Sequence, residues 1–184
     1  PIICAVYLAE KSISAMTQFP LGVPAPGIAA AQATAALTDA EIRARTDSYF
    51  NRTRQIVSHF GDCQVTYAFF LRCPVISAPG IMLEWLKNVM AERGSDYTVD
   101  LLHPEGEWVG AGEPLVYVSG SFLHLADLET LLLQKLGSSC VAALRAYQMA
   151  LSLPQTRFLA MDARHCAGYE MQELMAYAAS IGGR

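Results

Sequence analysis

Charge is scarce in this chain. Of its 184 residues only 16% are Asp, Glu, Lys or Arg, and a net charge of −4 provides no basic face of the kind that nucleic-acid binding demands. Long apolar runs are missing too. The longest, such as Ile2 to Ala9 and Leu131 to Leu133, fall far short of the ~20 residues that span a bilayer. Ile2 to Leu8 has no basic flank before it and no small-residue cleavage pattern after it, which speaks against a secretory signal. Paired cysteines are lacking: Cys4, Cys63, Cys73, Cys140 and Cys166 are odd in number and scattered, which fits reduced thiols in a cytoplasmic protein better than a disulfide framework. There is no phosphate-binding loop with Gly-Lys-Ser/Thr, and Gly110-Ala111-Gly112 lacks the third glycine of a dinucleotide fingerprint. His165-Cys166 has no second Cys/His pair at metal spacing, so no metal site is expected.

What is present is apolar substance: 53% hydrophobic residues, enough for a substantial core in one domain or two. The first methionine is Met16, and Phe19 to Leu37 is rich in Ala, Pro and Gly without amphipathic period, so residues 1–37 read as a weakly structured leader. Residues 38–153 read as an α+β domain. Thr38-Asp39-Ala40-Glu41 has capping-box spacing and opens a short helix. Tyr49, Thr53, Ile56, Val57 and Phe60 recur at helical intervals over 48–60, up to Gly61. Val65, Tyr67, Phe69 and Leu71 alternate as a half-buried strand does. Pro79 to Arg93 sets Met82, Trp85, Leu86, Val89 and Met90 on one helical face, with Gly94 as the stop. Tyr97 to His103, Glu107 to Val109 and Leu115 to Val118, separated by Gly/Pro turns, predict an antiparallel meander. Residues 124–151 predict a long helix, apolar almost all round and therefore buried, with Gly137-Ser138-Ser139 as a point of kinking. In 154–184, a strand Arg157 to Met161, a polar loop Asp162 to Gly168 and a helix Tyr169 to Ile181 have the order in which an α/β barrel presents a site. Gly182-Gly183-Arg184 then ends the chain where a further strand is expected, which reads as truncation.

Two motifs carry chemistry. In Thr46-Asp47-Ser48-Tyr49 a capping pair precedes an aromatic at a helix start. It is either an N-cap with a core tyrosine, or a stacking face for an aromatic ligand. Asp162-Ala163-Arg164-His165 puts an acid, a guanidinium and an imidazole on one loop. It is either a surface turn with a local ion pair, or a site in which Arg164 grips a carboxylate or phosphate and Asp162 holds that guanidinium or stabilises positive charge.

In order along the chain, four features resemble the nicotinate phosphoribosyltransferase family of type II phosphoribosyltransferases. They are Thr46-Asp47-Ser48-Tyr49; Thr66-Tyr67-Ala68-Phe69-Phe70-Leu71-Arg72; Gly112-Glu113-Pro114-Leu115 with Val118-Ser119-Gly120 and Leu128-Glu129-Thr130-Leu131-Leu132; and Met161-Asp162-Ala163-Arg164. The resemblance implies an N-terminal α+β domain leading into an α/β barrel. It also implies an enzyme of NAD salvage that joins nicotinate to phosphoribosyl pyrophosphate, with ATP and Mg2+ used by the full-length protein. It implies a homodimer in which Tyr49 stacks on the pyridine across the interface. Asp162 and Arg164 would then be catalytic, and Tyr49, Met161, Arg164 and His165 would bind substrate. His165 stands where members often carry arginine, and Met161 where some relatives carry an aromatic. Asp162-Ala163-Arg164 is also similar to the Asp-Thr-Arg of quinolinate phosphoribosyltransferases, which makes quinolinate the nearest competing substrate, with nicotinamide another. Two non-catalytic readings compete. A biotinyl or lipoyl carrier needs a lysine at a hairpin tip, and none occurs between Lys87 and Lys135. A dimerisation module would instead use the apolar helix 124–151.

Overall fold

The computed structural model describes the backbone of residues 2–8 and, in full, residues 32–161 and 165–183. Ile2–Leu8 forms strand β1, which pairs antiparallel with β2, Gln64–Leu71, from Ile2 opposite Leu71 to Leu8 opposite Val65. Within the expected leader 1–37, Ile2–Leu8 is thus a strand, its backbone paired with a partner more than fifty residues away, and residues 9–31 lie outside the described residues. Residues 32–34 are tied in as well. The backbone N–H groups of Gln32 and Ala33 both donate to Glu173 Oε2, at 2.9 and 2.6 Å, and the Asn88 side chain donates to the Thr34 carbonyl at 2.8 Å.

The helices α1, Asp39–Arg45, and α2, Ser48–Phe60, follow. The Thr38 capping box closes as expected, with Thr38 N–H donating to Glu41 at 2.9 Å and Glu41 N–H to Thr38 Oγ1 at 3.3 Å. Val65, Tyr67, Phe69 and Leu71 of β2 are all buried, as their alternation predicts. Beyond β3, Val75–Ile76, helix α3, Gly80–Arg93, buries the whole predicted face and ends at Gly94 in the left-handed conformation, φ 58°. Strand β4, Tyr97–Leu101, pairs with β6, Pro114–Ser121, which pairs with β2. The four-stranded antiparallel sheet therefore has the order β1-β2-β6-β4.

The expected meander is not continuous. β5, Trp108–Val109, leaves β4 and β6 and pairs with β3 instead, Val75 opposite Val109 and Ile76 opposite Trp108. Backbone bonds flank that switch: Ser77 N–H donates to Glu107 O at 2.8 Å, and Gly112 N–H to Leu71 O at 2.7 Å. Gly112 has φ 80°, a conformation that glycine adopts without steric cost.

A single turn, α4, Phe122–Leu125, precedes the long helix α5, Glu129–Ser152. α5 runs unbroken through Gly137, where a kink was expected, and Gly137 and Ser139 are both buried. Its burial is also uneven. Leu131 through Ala143 supply core residues, whereas Met149 and Leu151 are exposed, so the helix is not buried all round. No strand forms at Arg157 to Met161. Among the described residues nothing pairs with that segment, and Phe158, Leu159 and Met161 stand exposed. Helix α6, Tyr169–Gly182, packs along α5 so closely that a Cβ at Gly182 would come within 1.9 Å of the Ala143 carbonyl oxygen.

Two polar knots lock the helices. Lys135 of α5 is buried; its ammonium donates to Ala33 O at 2.7 Å, pairs with Glu170 and lies 5.3 Å from the centre of the Trp85 ring. In the second, Arg54 and Arg93 each pair with both Asp39 and Asp127, at 2.7–2.9 Å. Asp127 is fully buried and the Arg93 side chain only 6% exposed, so this knot joins α1, α2, α3 and the turn before α5. No helix among the described residues is long and apolar enough to cross a membrane.

Candidate functional site

The first turn of α2 and the first turns of α5 face one another across a pocket of about 220 Å³, lined by Asp47, Tyr49, Phe50, Glu129, Thr130, Leu133 and Gln134. Thr130 fixes the two helix starts. Its hydroxyl receives hydrogen bonds from the Thr46 hydroxyl at 3.1 Å and the Asp47 N–H at 3.4 Å, and donates to Asp47 Oδ2 at 3.2 Å. Asp47 stands at the N-cap of α2, yet its carboxylate makes no capping bond. It is spent on the neighbouring helix, which orients the chain entering α2 and with it the residue two positions on.

That residue is Tyr49. Its neighbour Phe50 is buried and the two rings lie 4.1 Å apart, but Tyr49 itself is 57% exposed. The reading as a core tyrosine is therefore excluded. A large aromatic face is held at the rim of a pocket, and such a face suits stacking of a flat ligand. Glu129 lies half-buried in the same pocket. Burial, and then the nearby Asp47 charge, push its carboxyl up to about 7. Burial first, then the Glu129 and Asp47 charges, push the Tyr49 phenol up as well. The lining contains no Lys, Arg or His, so the pocket is walled by two carboxylates and an aromatic face.

The other sequence-derived candidates fall elsewhere. Met161 and His165 are both exposed, on the loop between α5 and α6. Asp162 and Arg164 lie outside the described residues. Among those described, no hydrogen bond, ion pair or ring contact joins Tyr49 to Met161 or His165. Sequence reasoning missed Glu129 and Thr130 as site residues. The signal was an acid and a hydroxyl opening an otherwise apolar helix, and the capping reading of Asp47 hid its partnership with Thr130. A second, larger cleft of about 540 Å³ lies over the Arg54/Arg93 knot and includes Glu92 and His124. Its two arginines are matched by two aspartates. No group of three or more His, Cys, Asp or Glu among the described residues fits a metal ion.

Comparison with known proteins bears on both fold and site. The family model described as quinolinate phosphoribosyl transferase, N-terminal domain, matches residues 47–140, a span that includes every residue lining the Tyr49 pocket. Among solved structures, nicotinate-nucleotide pyrophosphorylase from Pyrococcus furiosus aligns with a TM-score of 0.65 at 22% identity, over 80% of this chain and 38% of that one. Nicotinate-nucleotide pyrophosphorylase from Francisella tularensis aligns at 0.57 and 14% identity, over 78% and 49%. Human nicotinic acid phosphoribosyltransferase aligns at 0.58 and 23% identity, over 75% and 34%. The chain thus spans between about a third and a half of the length of these structures. No curated protein sequence matches it. At these identities the structural likeness shows the fold: an α+β domain of small sheets and helices, of the kind that forms the N-terminal domain of type II phosphoribosyltransferases.

Proposed function

The chain belongs to the family of the quinolinate phosphoribosyl transferase N-terminal domain, and from that membership we propose that it is the N-terminal part of a nicotinate phosphoribosyltransferase. On this reading 38–153 is the N-terminal domain, and 154–184, of which the described residues form helix α6 and no strand, leads into the catalytic α/β barrel. The observation that carries the proposal is the exposed Tyr49 ring at the rim of a pocket built entirely from the family-matched segment. A solvent-facing tyrosine oriented by a hydrogen-bonded helix start is a binding surface, not a packing element.

In the reaction, the pyridine nitrogen attacks the anomeric carbon of phosphoribosyl pyrophosphate. The C–N bond forms as the C–O bond breaks, and pyrophosphate leaves with the electron pair. Catalysis rests on orientation and on electrostatic stabilisation of a cationic sugar and ring. Tyr49 stacks on the pyridine of the partner protomer in a homodimer. Arg164 grips the ring carboxylate, Asp162 acts on the developing positive charge, and Met161 and His165 complete the pyridine site. ATP coupling and Mg2+ would belong to the whole enzyme; the described residues offer no set of ligands for a metal ion.

Quinolinate is the second reading, favoured by the family description and by the Asp162-Ala163-Arg164 triplet. The deciding experiment supplies phosphoribosyl pyrophosphate and, separately, nicotinate, quinolinate or nicotinamide to the protein encoded by the complete reading frame, with and without ATP. Formation of nicotinate mononucleotide from nicotinate, lost in Arg164→Ala, is the expected result. Turnover of quinolinate alone moves the second reading to the front. Turnover of no pyridine leaves only the fold.

A further inference from the structure

Glu129 is unusual among the buried and half-buried carboxylates of this fold. Asp39 and Asp127 each have two arginines, and Glu170 has Lys135 and Arg45. Glu105 accepts a hydrogen bond from the Tyr177 hydroxyl, and Glu173 accepts from the backbone N–H groups of Gln32 and Ala33. Glu129 has no hydrogen-bond or ion-pair partner among the described residues, although it sits half-buried beside a second carboxylate. Among the described residues, Asp47, Tyr49 and Phe50 face it from the start of α2, and its own helix adds only the uncharged Thr130, Leu133 and Gln134. An uncompensated negative charge in a partly desolvated pocket repels an anionic substituent and attracts a cationic ring.

The chemistry of the pyridine gives that charge a task. Nicotinate carries one carboxylate, set away from the ring nitrogen, and its ring becomes cationic as the nitrogen is ribosylated. Quinolinate carries a second carboxylate, next to the nitrogen. Resting on the proposal that Tyr49 stacks on the pyridine, we propose that Glu129, backed by Asp47, determines specificity at this site. The two carboxylates exclude a pyridine dicarboxylate from the face of Tyr49 and admit a monocarboxylate whose ring gains positive charge. Specificity of this kind comes from a built-in repulsion as much as from attraction. The monocarboxylate must then enter with its own carboxylate turned away from Glu129. Because the Glu129 carboxyl titrates near 7, the exclusion strengthens as pH rises through that range and relaxes below it.

The test measures kcat/KM for nicotinate and for quinolinate from pH 6 to 8.5, using the complete protein as wild type, Glu129→Gln and Tyr49→Ala. At pH 8 the wild type is expected to prefer nicotinate. Glu129→Gln should raise the quinolinate-to-nicotinate ratio about tenfold and flatten its dependence on pH. A ratio unchanged by Glu129→Gln, with nicotinate still converted, overturns the inference and leaves the proposed function standing. Tyr49→Ala converting nicotinate as well as wild type does removes the stacking site, and the inference falls with it. Should Glu129→Gln fail to fold, the wild type decides alone: equal preference at pH 6 and pH 8.5 overturns the inference, and preference for nicotinate that grows with pH supports it.

Discussion

Asp127 and Glu129 are two residues apart, and they do opposite things. Asp127 is buried under two arginines, which also hold Asp39, and the four charges close on themselves. Glu129, with Asp47 beside it, faces a pocket that offers no cation. The first arrangement binds helices to one another. The second leaves charge unspent at a surface where a ligand is expected. A fold that satisfies its buried charge so fully in one place makes its omission in another informative, because unpaired charge in a desolvated site is costly to keep.

The sharpest way to test the contrast is to break the closed set. Arg93→Met should cost about 3–5 kcal/mol, because it strands Asp127 with one arginine where it had two. Denaturant unfolding measures this directly, and a loss under about 1 kcal/mol would mean that the knot is not structural. Asp39→Asn should cost less, about 1 kcal/mol, since Asp39 is partly exposed and its pairs are screened by solvent.

The pH dependence of the two carboxylates should run in opposite directions. For Asp39, burial raises the pKa but the Arg54 and Arg93 interactions outweigh it, so the folded-state value is depressed. Its contribution is present above the unfolded pKa and lost as pH falls through the folded one. Glu129 has a folded value near 7, above its unfolded one. Its favourable contribution is complete below the unfolded pKa and gone once pH has risen through about 7. Glu129→Gln should therefore match wild type at pH 4 and exceed it at pH 8, by about 1 kcal/mol after allowance for solvent screening. Thermal unfolding at both pH values checks the sign. The smallest effect on stability is expected from Tyr49→Ala, within about 0.5 kcal/mol because the ring is mostly exposed, while pyridine binding by calorimetry should be lost. Large destabilisation by Tyr49→Ala would return that ring to the core.

Most of the helical framework was legible because its signals are local: the Thr38 capping box, the Met82-to-Met90 face, and Gly94 in the left-handed conformation. What escaped depends on distant partners. β1 is a strand only because β2 accepts it, β5 departs from the meander because β3 is available, and Arg157 to Met161 is not a strand because nothing described pairs with it. The site divides in the same way. Tyr49 was visible as an aromatic at a capped helix start. Glu129 and Thr130 became visible only when α5 met α2, since neither residue type is distinctive in sequence.

Glu173 accepts from the backbone N–H groups of Gln32 and Ala33, which lie 141 and 140 residues before it in the chain. Closing so wide a loop is entropically expensive and is repaid only after the intervening elements have assembled. The clasp is therefore expected to form late in folding, after the barrier. Its loss in Glu173→Ala should leave the refolding rate nearly unchanged and quicken unfolding, so that this one carboxylate sets how long the native state lasts more than how fast it is reached.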